Sequence, residues 1–236
     1  TPASVQGSKA EVTLVVTPNE ASSSIVVEKD KRFTTVIDQN KYFFTTADSY
    51  NAVLGSDGRF TIPNVQLNQG VRLTHKYTVD YSNLEQKFIL PNPGTDVSTL
   101  SVVVKESPEA TETVTYQKVT DTVSVSSTSY VYFLYEEFDG RWEVQFGDGK
   151  VGFRPKDGSQ IILTANISDG IVTNGASVFT AVDVIGGYPD VQVNTTTKAY
   201  GGTARETIQQ IKYNAPKLYE TQNRAVTLND YKRLVE

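Results

Sequence analysis

One histidine and no cysteine narrow the chemistry that this 236-residue chain can hold. Without thiols there is no disulfide, no thiolate nucleophile and no Cys-based zinc site. Two histidine ligands cannot meet within one chain, and a Ser-His-Asp triad would have to use His75. His75 sits on the apolar side of an alternating run, which favours a partly buried core histidine over a catalytic base. Gly147-Asp148-Gly149-Lys150-Val151-Gly152 fits the G-x-G-x-x-G spacing. A dinucleotide site needs a helix directly after those glycines, so that its N-terminus faces the pyrophosphate. The chain instead continues Phe153-Arg154-Pro155-Lys156-Asp157-Gly158, which reads as strand and turn, and it lacks the other kinase motifs. The glycines therefore predict a hairpin. Asp139, Asp148 and Asp157 are evenly spaced. Calcium-binding nonapeptide repeats share that spacing but carry glycine pairs before each aspartate, and only Gly147 precedes one here. Glu136 and Glu137 are adjacent, so on a strand they face opposite ways and cannot pair for glycoside chemistry. Asn166-Ile167-Ser168 and Asn194-Thr195-Thr196 fit glycosylation sequons, which matter only in a secreted eukaryotic protein. No catalytic, cofactor or metal-binding residue is nominated.

The elements around these residues read as β for the first four-fifths of the chain. Glu11 to Thr17, Ser24 to Val27, Phe33 to Ile37 and Tyr42 to Thr46 are rich in residues that suit a half-buried pleat. Val71, Leu73, His75, Tyr77, Val79 and Tyr81 alternate with polar residues, which predicts one long strand with a buried face. Asp-Gly recurs at Asp57, Asp139, Asp148, Asp157 and Asp169, and favours tight hairpin turns. Tyr130 to Tyr135 is apolar or aromatic on both faces, so that strand is either covered twice or meets a partner.

The period changes after Gly201-Gly202. Thr203-Ala204-Arg205-Glu206 has capping-box form, and Ala204, Ile208, Ile211 and Ala215 follow at helical spacing until Pro216. Thr227-Leu228-Asn229-Asp230 opens a second helix whose stripe is Leu228, Tyr231, Leu234 and Val235. The expected class is mainly β with a helical C-terminal segment (α+β), built of antiparallel hairpin-rich modules followed by two short helices. Breaks at Pro91-Asn92-Pro93-Gly94 and Gly186-Gly187-Tyr188-Pro189 divide it into an N-terminal β module (1–90), a middle hairpin module (91–187) and a truncated helical segment (188–236). The middle module either follows the first or is inserted into it. With no methionine, and with Glu236 falling in mid-helix, the chain is expected to be a fragment.

Lys198 to Glu236 carries seven Lys/Arg against four Asp/Glu, while residues 1–197 hold the remaining fifteen basic and twenty-three acidic groups. An acidic body repels phosphates, so nucleic acid is not the expected partner. No apolar run approaches the ~20 residues of a membrane-spanning helix.

Phe146-Gly147-Asp148-Gly149-Lys150-Val151-Gly152-Phe153, with Pro155, Gly158 and Asn174-Gly175 after it, resembles the baseplate J-like family of contractile phage tails. Gly201-Gly202, Glu206-Thr207-Ile208, Asn214-Ala215-Pro216, Asn223-Arg224-Ala225-Val226-Thr227 and Asp230-Tyr231 are the more specific part of the match. Phe88-Ile89-Leu90-Pro91-Asn92 with Asp96 resembles the version in T4-like phages. The resemblance implies a structural virion protein of the tail baseplate, assembled in the host cytoplasm. It implies that copies dimerise and build a ring with other baseplate wedge subunits, and that the ring rearranges on contraction. Such a ring needs two distinct patches per chain, because an isologous patch closes at the dimer. The candidate interface residues are Tyr130 and Tyr132 on the aromatic strand, and Arg224, Leu228, Tyr231, Arg233 and Leu234 in the tail. The alternative function is a surface-binding β module of the carbohydrate-binding or adhesin kind.

Overall fold

Alternation of apolar and polar residues makes strands here, because it buries one face of the pleat and leaves the other wet. A computed structural model describes residues 4–19, 22–119 and 125–213. The first half of the chain forms β1 (Lys9–Val16), β2 (Ser24–Val27), β3 (Arg32–Ile37), β4 (Asn40–Thr46), β5 (Tyr50–Val53), β6 (Phe60–Gln69), β7 (Val71–Thr78), β8 (Phe88–Leu90) and β9 (Thr95–Lys105). The rest forms β10 (Val114–Lys118), β11 (Val131–Glu136), β12 (Trp142–Phe146), β13 (Gln160–Ile167), a short 3-10 turn (Gly170–Thr173), β14 (Thr180–Ala181) and β15 (Val191–Tyr200).

Two large sheets with separate cores and one two-stranded pair take up these strands. The first runs β14-β3-β4-β6-β1-β15. Its edges are joined by the segments on either side of β14: before it, Ala199 N donates to Ala176 O at 2.8 Å, and after it, Val182 N donates to Arg32 O at 2.9 Å. The sheet thus curls on itself around Val12, Leu14, Phe33, Phe44, Phe60 and Leu67. The β2-β5 pair adds Ile25, Val27 and Ala52 to the same core. The second sheet runs β7-β13-β9-β10-β11-β12-β8 around Leu90, Val102, Tyr132, Trp142, Ile161 and Leu163. Its edges also approach, since the Tyr77 hydroxyl donates to Ile89 O and the Tyr77 and Phe88 rings meet edge to face at 5.7 Å. All its strand pairs are antiparallel except β10 with β11.

The second sheet is threaded between strands of the first. The chain leaves the first sheet at Gln69, enters the second through Gly70, and returns through Ser168 and Asp169. Here β7 and β8, which precede the break expected at residue 90, belong to the second sheet. Polar pairs fasten the crossing. Gln69, 1% exposed, donates from Nε2 to Asp169 Oδ2 at 2.7 Å, and Asp169 N donates to Gln69 Oε1 at 2.9 Å. Ser8 and Thr173 share a buried hydroxyl bond of 2.7 Å, and Gly7 N donates to Asp96 Oδ2 at 3.2 Å.

The expected α+β class is corrected by this architecture: about half of the chain is strand, and among the described residues helix is confined to residues 208–213 and the 3-10 turn. The segment expected to be helical from residue 188 opens with β15, where Val191 and Val193 alternate onto the first core. The cap expected at Thr203 does not form, because Thr203 is bridged to Gln6 by two backbone hydrogen bonds of 3.1 Å. Thr207 and Gln210 take the capping box instead: Gln210 N donates to Thr207 Oγ1 at 3.3 Å, and Thr207 N to Gln210 Oε1 at 2.8 Å. The second expected helix, with Arg224, Leu228, Tyr231, Arg233 and Leu234, lies outside the described residues.

Arg32 and Asp183 pin the closing segment of the first sheet. The guanidinium reaches the carboxylate through Nη2 at 2.7 Å and Nε at 3.1 Å, and Arg32 N adds a bond of 2.8 Å. Hydrogen bonding to Arg32 holds the Asp183 carboxyl below its ordinary 3.8. A depressed carboxyl stabilises the fold above its unfolded value and loses that contribution as pH falls through the folded value. Asp183→Asn is therefore expected to lower the urea midpoint at neutral pH, and to close that gap with the parent as pH drops below 3.8. Urea titrations of both proteins from pH 7 to pH 3 measure it.

Candidate interface surfaces

β11 carries opposite kinds of surface at its two ends. Along the strand Tyr132 and Leu134 point into the second core, whereas Tyr130 before it and Tyr135 near its end are exposed. Burial pushes the Tyr132 phenol up from its ordinary value. Of the two candidates on this strand, only Tyr130 (44% exposed) therefore presents its ring to the outside.

At the start of β11 lies a groove of ≈ 180 Å³. Tyr130 meets Tyr116 edge to face at 5.4 Å and tilts against Phe153 at 4.9 Å, so these three rings form its floor. Val104, Val114 and Pro155 complete the apolar walls, and Lys105, Glu106 and Lys156 stand among its lining. Lys156 is ion-paired to Glu106, which raises the lysine and lowers the carboxyl. Tyr116 is almost wholly buried, and desolvation pushes its phenol far up, so it stays neutral. A neutral aromatic floor suits an apolar or planar guest.

At the far end of β11 the hairpin to β12 turns through Glu137, Phe138, Asp139 and Gly140. Glu137 N donates to Arg141 O at 2.8 Å, which closes the turn and leaves Phe138 fully exposed, at 111% of its reference area. Lys87 fixes the hairpin from the side, through Glu137 at 2.6 Å and Glu143 at 3.0 Å. The lysine holds the Glu137 carboxyl below its ordinary value. Arg141 Nε donates to Asp139 Oδ2 at 2.6 Å. Phe138 was not singled out from sequence, although an aromatic residue inside an Asp-Gly turn is a signal that could have found it.

A second groove of ≈ 260 Å³ adjoins the first across Pro155. The Arg154 guanidinium lies 3.8 Å from the Tyr81 ring centroid, and the Tyr81 hydroxyl donates to Pro155 O. These contacts brace the loop that supports Phe153.

The motifs weighed for chemistry are occupied locally. The expected glycine hairpin is a loop, since no strand follows β12 to pair with it; within it Gly149 N donates to Gly152 O at 3.1 Å, and Asp148 Oδ1 accepts from Lys150 N and Val151 N. A Cβ on Gly147 would lie 2.3 Å from Gly152 O, so close backbone approach explains that glycine. Asp139 and Asp157 serve their own turns, through Arg141 N and Tyr81 N. No cluster of three or more potential metal-ligating side chains occurs among the described residues. His75 lies half-buried on β7, opposite Leu163 of β13.

No family model matches the chain. In sequence it is similar to the baseplate wedge protein gp6 of Enterobacteria phage T4, at 24% identity over 259 aligned positions that take in 99% of this chain. The chain spans 38% of that relative's length. A phage baseplate wedge protein is thus a distant relative along almost all of the chain, which is consistent with a structural virion role.

Proposed function

We propose that the chain is part of a structural subunit of a phage tail baseplate. In this reading it works through surfaces that fit other protein surfaces, with no bond made or broken. The observation that carries it is the similarity to a baseplate wedge protein across 99% of the chain, which embraces both sheets and not one motif alone. The architecture supports it. Each sheet curls around its own core, and buried polar pairs at Gln69, Asp169, Ser8 and Thr173 hold the crossing between them. Rigid modules suit a ring whose contacts are remade while its parts keep their shape. The expected partners are other copies of the chain and other baseplate wedge subunits, in a ring that rearranges on tail contraction.

Sedimentation velocity across a wide concentration range tests this reading. The mass should rise with concentration, and association should depend on salt where charged surfaces meet. A chain that stays monomeric at every concentration, and that converts a small molecule in a way abolished by one substitution, would overturn it.

A further inference from the structure

We infer that Phe138 of one copy seats in the Tyr116–Tyr130–Phe153 groove of a second copy, joining chains head to tail. This deepens the reading of the chain as a self-associating subunit and rests on it.

Three observations carry the inference. First, a fully exposed phenylalanine at a braced hairpin tip is an apolar knob without an apolar neighbour to cover it. Large exposed aromatic side chains of this kind anchor interfaces by filling a pocket on the partner. Second, the groove has the size for a ring. Its volume of ≈ 180 Å³ slightly exceeds that of an engineered cavity of about 150 Å³ that takes up benzene. Its walls offer ring edges and faces in the tilted and edge-to-face arrangements that aromatic groups prefer. Third, the charges agree. At the tip Glu136, Glu137 and Asp139 outnumber Lys87 and Arg141. At the groove Lys105 and Lys156 outnumber Glu106.

Topology forbids a chain from satisfying itself. Tyr130 and Phe138 flank the same strand, and an extended run of that length is roughly 25 Å long. The knob of one copy therefore meets the groove of another. In a head-to-tail arrangement each pairing leaves one knob and one groove free, so the contact repeats from copy to copy.

The test uses single substitutions that leave the core untouched. Phe138→Ser removes the knob from a fully solvated site, and Lys105→Glu reverses the groove's charge. Circular dichroism confirms that each variant is folded. Each should raise the concentration needed for association, Phe138→Ser by about tenfold or more. The two variants mixed should form a one-to-one pair that grows no further, since one intact knob and one intact groove remain. The absence of native cysteine allows a second readout. Phe138→Cys mixed with Lys105→Cys should cross-link on oxidation, between copies. If Phe138→Ser associates as the parent does, or if no cross-link forms between these positions, the contact is wrong while the structural-subunit reading stands. If the parent itself never associates, the contact is wrong, and the structural-subunit reading falls only if the chain also converts a small molecule.

Discussion

Gly70→Ala is expected to destabilise the chain by about 2–5 kcal/mol, because strain and overlap act together at one position. Gly70 has φ +117°, a conformation that side chains other than glycine's rarely adopt. A Cβ there would stand 2.3 Å from Ile167 O and 3.1 Å from Ile167 C. Neither atom is free to move. Ile167 is paired with Val71 on one side and Thr95 on the other, so displacing it disturbs three strands of the second sheet. Gly70 N also donates to Phe43 O at 2.9 Å, which ties the same residue to β4 of the first sheet. The damage therefore falls on the crossing between the sheets. The measurement exploits the chain's one tryptophan, Trp142, which lies in the second core. Its fluorescence follows the second sheet, while far-ultraviolet circular dichroism follows both. In urea the variant should unfold earlier by both probes, with the fluorescence transition moved further. A variant whose two midpoints equal the parent's would show that the crossing tolerates a side chain.

Local signals in the sequence carried far, and stopped where distant segments decide. The Asp-Gly turns are legible because positive φ is a property of the residue itself: Gly58, Gly140, Gly149, Gly158 and Gly170 all adopt it. The glycine motif from Gly147 to Gly152, expected as a hairpin, is instead a loop: no strand follows β12 before β13, and Gly152 N and Phe153 N donate to Ser126 O and Ser129 O. The closure of the first sheet is not legible. β1 pairs with β6 on one side and with the far more distant β15 on the other, and nothing local in Val191–Tyr200 names that partner. Thr203 shows the competition directly. Its sequence context offers a capping box, but pairing with Gln6 holds its backbone extended, and the helix starts only where Thr207 and Gln210 can cap it. The same limit applies to the aromatic strand. Alternation says that Tyr130 and Tyr132 share a face, yet Tyr132 is covered by the second core while Tyr130, just outside the strand, looks into the groove. The fastening pair Gln69–Asp169 was invisible, since a glutamine beside a glycine reads as a turn until the returning chain is placed against it.

Trp142→Ala is expected to lower stability by about 3–5 kcal/mol, the range for removing a large aromatic side chain from a packed core. Trp142 is 1% exposed and pairs with Glu136 on β11 and with Leu90 on β8. Among the described residues the core around it holds eleven buried hydrophobics, Trp142 included, so the void has few neighbours able to collapse into it. The loss should be felt unequally. Hydrogen exchange should quicken in β11, β12 and β13, whereas amides of β1 and β6, packed on the other core, should keep their protection. Uniform loss of protection in both sheets would mean that the crossing at Gly70 couples them into one cooperative unit. Phe138→Ser makes the contrast, because it also deletes an aromatic ring from the hairpin whose second strand Trp142 begins, yet that ring touches solvent alone. Its stability should match the parent's within about 0.5 kcal/mol, as surface changes away from structural features do. Two aromatic residues four positions apart would then divide cleanly, one holding the sheet and the other available to a second copy.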